Sequence, residues 1–316
     1  PIFEQKNPNI KVNVQAFDAS TYPNKLLSAL VSGEGPDVAM VEIHWVAKFK
    51  NSGRFEDLSQ APYNAGEFKD KYAPFAWDYV SGDDGSVFAL PKNTGPGGMF
   101  YRRDVFEKAG LPSDPDKVHE LLKTWDDFIK VGQKLSRKGE SWMVATPDEI
   151  TSTILAEAGA SEFDKSGNPQ LDQPVFKDAL DITKKANDAG IVSGLKAWSP
   201  EWGATMKNGT VATYLSGNWL GGSLKSLYAS GTDGKWGVTY APSYNGNSAF
   251  NYGGDFIGIL KSSKHKDAAW KFIQFVSQDM DSLKTMYMKN DLYPAWVPAL
   301  SEPWMNEKDG FYKDQV

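Results

Sequence analysis

Residues 206–222 read MKNGTVATYLSGNWLGG. Met206-Lys207 close a helix that begins near Trp202, Asn208-Gly209 makes the turn, and TVATYL reads as a strand. Then Trp219 stands between an asparagine and a leucine, with Gly217 before it and Gly221 and Gly222 after it. Either this indole plugs a core through a tight turn, or its face is presented to something. Helix, turn, strand, loop and helix follow one another here, and the same alternation extends outward on both sides. That pattern predicts an α/β protein with mostly parallel sheets flanked by helices. In such sheets ligands gather beyond the carboxyl ends of strands, where Trp219 falls.

Working outward, Lys11–Phe17 alternates as a short strand, and Ser20–Val31 carries Leu26, Leu27 and Leu30 at helical spacing. Asp37–Val41 is a short apolar strand, and Asp83-Asp84-Gly85 marks a hairpin-type turn into SVFALP. Thr124 caps a helix with Asp127 at the third position, and Pro174–Ala189 opens on proline and closes on Gly190. Strands are expected at Trp142–Ala145, Trp236–Tyr240 and Phe256–Leu260, with a helix at Asp148–Ala158. Asp267–Ser277 is the clearest amphipathic helix, with Ala269, Phe272, Ile273 and Val276 on one face.

A chain of 316 residues exceeds what one core supports, so two domains are expected. Net charge is −6, which argues against nucleic acid or a polybasic membrane surface as partner. No apolar run approaches the ~20 residues of a membrane span. Cysteine is absent, which removes disulfides, thiol nucleophiles and thiolate metal sites. The three histidines, His44, His119 and His265, are not clustered, so neither a metal nor a cofactor is expected. Gly95-Pro96-Gly97-Gly98 lacks the lysine and hydroxyl of a phosphate loop, and Phe100 stands where a dinucleotide fingerprint needs glycine. No catalytic residue is assigned. A pair such as Asp148 and Asp255 keeps a glycoside-active enzyme open as the alternative. Aromatics make up 13% of residues, and several sit beside Gly, Pro, Asn or Asp instead of in apolar runs. The chain opens on what reads as the end of a helix and closes on FYKDQV without a stop signal, so both ends are expected to be trimmed.

Five stretches in order carry a resemblance: FEQKNPNIKV (3–12), GPDVAMVEIHWVAKFKNSGRFEDL (35–58), GSVFALP through TWDDF (85–128), MKNGTVATYLSGNWLGG (206–222) and GGDFIGILKSSKHKDAAWKFIQFV (253–276). Together they resemble extracellular solute-binding proteins of family 1, the carbohydrate receptors of bacterial ABC importers, relatives of maltose-binding protein. The resemblance implies two α/β lobes, 1–94 with 249–285 and 95–248 with 286–316, and a ligand cleft with hinge closure between them. Crossovers are expected near Asn93–Pro96, Ala241–Ser248 and Ser282–Asp291. It implies a monomeric, non-catalytic receptor outside the cytoplasm, either a lipoprotein on the outer face or periplasmic. Its ligand would be an oligosaccharide and its partner a membrane permease. A non-sugar receptor of similar build is a third possibility.

A sugar offers C–H faces and a rim of hydroxyls, so flat rings and fixed polar groups are the residues to seek. His44 and Trp45 follow the strand ending at Val41, and Asp148 and Glu149 follow the strand ending at Ala145. Each has a plain structural alternative: Trp45 packing beneath a short helix, the acids favouring a helix N-terminus. Trp202 is a candidate platform, with Trp198 expected to pack as a staple. Asn218-Trp219 matches the family's tryptophan stretch and is the leading pair, the nearby glycines leaving clearance for a ligand. Tyr252, Gly254 and Asp255 precede a strand where the family's glycine pair lines the cleft. Tyr293 and Trp296 lie on a proline-rich loop that packing alone would also explain.

Overall fold

The computed structural model describes residues 1–18, 21–164 and 167–315. Contacts divide the chain into two compact units: Pro1–Thr94 with Gly253–Asn306, and Gly95–Tyr252 with the chain from Glu307 on. The second and third passages therefore fall later than the expected Ala241–Ser248 and Ser282–Asp291. Residues 286–306, expected in the second lobe, belong to the first unit. The reason is packing: Ala295, Trp296, Ala299, Trp304 and Met305 are buried in one core with Phe49, Leu58, Tyr72 and Trp77.

Seven strands are named: β1 (Val38–Glu42), β2 (Leu90–Arg102), β3 (Trp142–Val144), β4 (Val211–Gly217), β5 (Trp236–Thr239), β6 (Asn251–Ile259) and β7 (Tyr293–Pro294). In the first unit β1 runs antiparallel to β6, Val38 opposite Ile259 and Glu42 opposite Asp255. The start of β2 pairs antiparallel with β7, Thr94 opposite Tyr293. In the second unit the rest of β2 pairs antiparallel with β4 and β5, while β3 lies parallel to β4. The architecture is α/β as expected, but mostly parallel sheets are not what these pairings show. β-strands alternating with helices along the sequence suggest parallel neighbours. Here the partners of β2 and β6 are remote in sequence, and the chain returns to them from the opposite direction.

Most helices follow their sequence signals. Thr124 accepts from the Asp127 N–H at 3.1 Å and caps Trp125–Leu135. The helices Pro174–Asp188 and Lys266–Gln278 bury one face each. The helix expected at Ser20–Val31 runs over Tyr22–Ser32, and Ser20 itself lies outside the described residues. Lys11–Phe17 is not a strand. Val14 is 78% exposed, and among the described residues no strand lies alongside to take its backbone hydrogen bonds.

The second unit's core explains how the 206–222 stretch is aimed. Arg102, buried, forks onto Asp104 at 2.8 and 2.7 Å and donates to the Met206 carbonyl at 2.9 Å. Its guanidinium also lies over the Trp236 ring. A cation on the last carbonyls of Pro200–Asn208 favours the helix end and pins the turn that starts β4. β4 is buried along its whole length, so the loop that follows it leaves from a fixed point.

Candidate functional site

Each unit gathers its own cluster. In the second unit β4 ends at Gly217, Asn218 turns the chain, and Trp219 opens a short helix to Ser223. The Trp219 indole N–H donates to the Tyr252 carbonyl at 2.8 Å. Its ring lies near-parallel to Trp198 (centroids 5.6 Å apart, 23°) and to Tyr252 (6.5 Å, 25°). A Cβ on Gly217 would stand 2.1 Å from that same Tyr252 carbonyl and 2.6 Å from the indole nitrogen. The bare α-carbon therefore makes room for the indole and not, as expected, for a ligand. Asn218 is half-buried, its N–H donating to the Pro96 carbonyl at 3.0 Å.

The burial of Trp202 and Trp198 is the reverse of what was expected. Trp202 is 6% exposed, edge-on to Tyr214 and Tyr228, and belongs to the core. Trp198 is 61% exposed. Ser199 caps the helix by accepting from the Trp202 N–H, which puts Trp198 one residue before the cap. A staple from there needs an apolar side chain at the helix's fourth position, and that residue is Gly203. The glycine was the sequence signal that would have freed Trp198.

Asp148 is exposed. Glu149 is not shown outward. Its carboxyl accepts from the Thr146 N–H at 3.2 Å while the Thr146 hydroxyl accepts from Glu149 N–H, a complete capping box. Its other oxygen accepts from the Leu215 N–H at 3.0 Å, tying this helix to β4. Burial pushes the Glu149 carboxyl up to about 8, against its hydrogen bonds, which act to lower it. An acid raised in the folded state adds stability while it is neutral in both states. That contribution is present below its ordinary 4.5 and is lost as pH rises towards about 8. Glu149→Gln keeps a capping-box residue without the titration. Its melting temperature is expected to fall less than the wild type's between about pH 5 and 8. Identical slopes in thermal denaturation would refute this.

In the first unit the Glu42 carboxyl accepts from the His44 N–H at 3.0 Å and meets its ring nitrogen at 2.8 Å, which raises the His44 pKa. Trp45 is half-buried, tilted against Tyr22 at 5.8 Å. Asp255 pairs with the buried Lys92 at 3.5 Å. Gly254 has φ +131, and a Cβ there would stand 3.1 Å from the Asn93 carbonyl, so the glycine serves backbone packing. Trp296 is 8% exposed with its edge to Tyr72 at 4.9 Å, which makes it core instead of an open platform. Tyr293 is half-buried and edge-on to Tyr287. Tyr22, Glu42 and Lys92, which the sequence does not single out, are the neighbours the structure gives to Trp45, His44 and Asp255. The β1–β6 register sets Glu42 opposite Asp255, the start of β2 brings Lys92 to it, and Tyr22 reaches β1 from its helix by donating its hydroxyl to the Met40 carbonyl at 2.8 Å.

Within each unit, rings and polar groups gather at strand ends, the residue types that suit a ligand with flat apolar faces and a hydroxyl rim. Residues 2–280 match the model for the bacterial extracellular solute-binding protein family, and the chain belongs to that family. It is 24% identical over 327 residues to the lactose-binding protein of Rhizobium radiobacter, spanning 99% of this chain and 74% of that protein. It is 27% identical over 313 residues to the arabinooligosaccharide-binding protein of Bacillus subtilis (strain 168), spanning 96% and 70%. Among solved structures, the ABC transporter associated binding protein from B. animalis subsp. lactis Bl-04, in complex with β-1,6-galactobiose, superposes with TM-score 0.84. It is 27% identical, with 99% of this chain and 79% of that chain covered. Members of the family bind solutes outside the cytoplasm. Among the described residues no helix is long and apolar enough to cross a membrane.

Proposed function

We propose that this chain is a carbohydrate receptor that delivers an oligosaccharide to the permease of an ABC importer. The observation that carries the reading is Trp219, held by its own N–H on the Tyr252 carbonyl and aligned with two further rings. A ring fixed in this way gives a sugar's C–H face a surface that needs no rearrangement. The names of the three relatives given above, lactose-binding, arabinooligosaccharide-binding and β-1,6-galactobiose-bound, support sugars of two or more units. Asn218 and Asp148 in the second unit, and His44, Trp45 and Asp255 in the first, are the polar and aromatic groups we assign to the ligand. The receptor works as a monomer, tethered by a lipid anchor or free in the periplasm, with permease subunits as its partners. The glycosidase alternative loses ground because Asp255 is engaged by Lys92 and the family is one of binding proteins.

The test is a thermal-shift panel of lactose, β-1,6-galactobiose, arabinobiose and arabinotriose, with spermidine, a tripeptide and glycerol phosphate beside them. A ligand at 100-fold its Kd stabilises by about 2.7 kcal/mol. A sugar is expected to raise the melting temperature without being consumed. Hydrolysis products, or a shift with the non-sugars alone, would overturn the reading.

A further inference from the structure

We propose that Asn245 is a site of spontaneous covalent modification, converting to aspartate and isoaspartate in the folded chain, while the fold protects the same dipeptide at Asn208. The proposal stands independently of the carbohydrate reading. Two asparagines precede a glycine, in Asn208-Gly209 and Asn245-Gly246. In such a pair the glycine nitrogen gives its proton to hydroxide and attacks the asparagine side-chain carbonyl carbon. A nitrogen–carbon bond forms, the bond to the amide NH2 breaks, and that nitrogen leaves as ammonia with a proton from water. Water then opens the five-membered imide at one carbonyl or the other, giving aspartate or isoaspartate. Nothing is oxidised or reduced. Glycine favours the attack because no Cβ hinders the approach of its nitrogen.

Both asparagines are exposed, so exposure does not separate them. The state of the glycine nitrogen does. Gly209 ends the helix Pro200–Asn208 at φ +73, and its N–H donates to the Thr205 carbonyl at 2.9 Å. A hydrogen bond made by the protonated form holds the proton in place, so the nucleophile is not released. The Asn208 side-chain carbonyl accepts from the Thr210 N–H at 3.0 Å and from its hydroxyl at 2.9 Å. The space over Gly209 is also taken, since a Cβ there would stand 2.8 Å from the Arg102 guanidinium.

Asn245 and Gly246 are the two central residues of a tight turn, with φ +50 and +81, a setting that favours this dipeptide. Tyr244 and Asn247 close the turn by exchanging N–H to carbonyl bonds at 2.9 and 3.0 Å. Among the described residues no partner takes the Gly246 N–H, and a Cβ on Gly246 would meet nothing within 4 Å. The Asn245 amide reaches back towards the Tyr244 hydroxyl, on the exposed side of the turn. An exposed two-residue turn opens at little cost, which lets the side chain swing onto the nitrogen. The product places a carboxylate next to Tyr244, whose hydroxyl donates to the Asp178 carboxylate at 2.7 Å. Isoaspartate also lengthens the main chain inside the turn by one methylene.

The experiment incubates the folded chain in mildly alkaline buffer, with the same chain unfolded in guanidinium chloride beside it. Peptide mass spectrometry reads conversion as a gain of one mass unit, and circular dichroism follows the fold in parallel. In the folded chain the gain is expected at Asn245 and not at Asn208. In the unfolded chain it is expected at both. Asn245→Gly suits the positive φ of the turn and is expected to remove most of the drift in the intact folded mass. Conversion of Asn208 as fast as Asn245 in the folded chain overturns the proposal. So does an Asn245 that stays intact there, whether or not the unfolded chain reacts.

Discussion

Gly217→Ala is expected to unsettle the second unit and to abolish most ligand binding together. The added Cβ would lie 2.1 Å from the Tyr252 carbonyl, a backbone atom that cannot swing aside as a side-chain tip can. It would also lie 2.6 Å from the Trp219 indole nitrogen. Relief requires Trp219 to leave its hydrogen bond or β6 to draw away from the end of β4. Overpacking of this kind costs about 1–3 kcal/mol, and the lost hydrogen bond adds about 1 kcal/mol. Equilibrium denaturation would read the stability loss and calorimetry the affinity. A variant as stable and as tight-binding as the wild type would mean that the Gly217, Trp219 and Tyr252 geometry is not maintained in solution.

Trp219→Ala is expected to separate these two effects. The indole is half-buried at a loop-to-helix junction and packs on the edge of the core around Trp236, while the core around Phe128 does not include it. Stability should fall by about 1 kcal/mol or somewhat more, from the lost hydrogen bond and edge packing, without unfolding the unit, while sugar affinity should fall by ~1–3 kcal/mol, the range for one aromatic stack against a flat ligand ring. That is roughly a five- to 150-fold weaker Kd. Calorimetry with the sugar that shifts the wild type in the thermal panel measures it. Unchanged affinity would remove Trp219 from the site.

Much of this arrangement is legible in the amino-acid sequence. The placement of Trp219 is readable because its oddity is local: a large ring directly after a strand, at the opening of a short helix. The strand–helix alternation and the capping threonine at 124 are local too. What fails depends on contacts remote in sequence or on the sign of one dihedral. Which of Trp198 and Trp202 turns inward is legible only in part: Gly203 denies Trp198 a staple partner, but no side-chain pattern announces φ +67 at Trp198. Trp296 sits in a proline-rich loop that reads alike whether buried or open, and only Tyr72 and Phe68 decide it. Strand direction fails for the same reason, since β1 and β6 meet across more than half the chain. Glu149 is a different kind of miss. Thr146-Pro147-Asp148-Glu149 spells a capping box, and the helical role stands in the sequence beside a site role.

The Trp219 indole is anchored by the main-chain oxygen of residue 252 and not by its side chain. The identity of residue 252 can therefore change without releasing the tryptophan, provided the backbone keeps its course. Anchoring and discrimination are thereby separable tasks at neighbouring atoms. On the proposal that Trp219 is the sugar platform, position 252 is where descendants of this protein, or an engineer, could swap a ring for an aliphatic or hydroxyl group beside that platform without moving it.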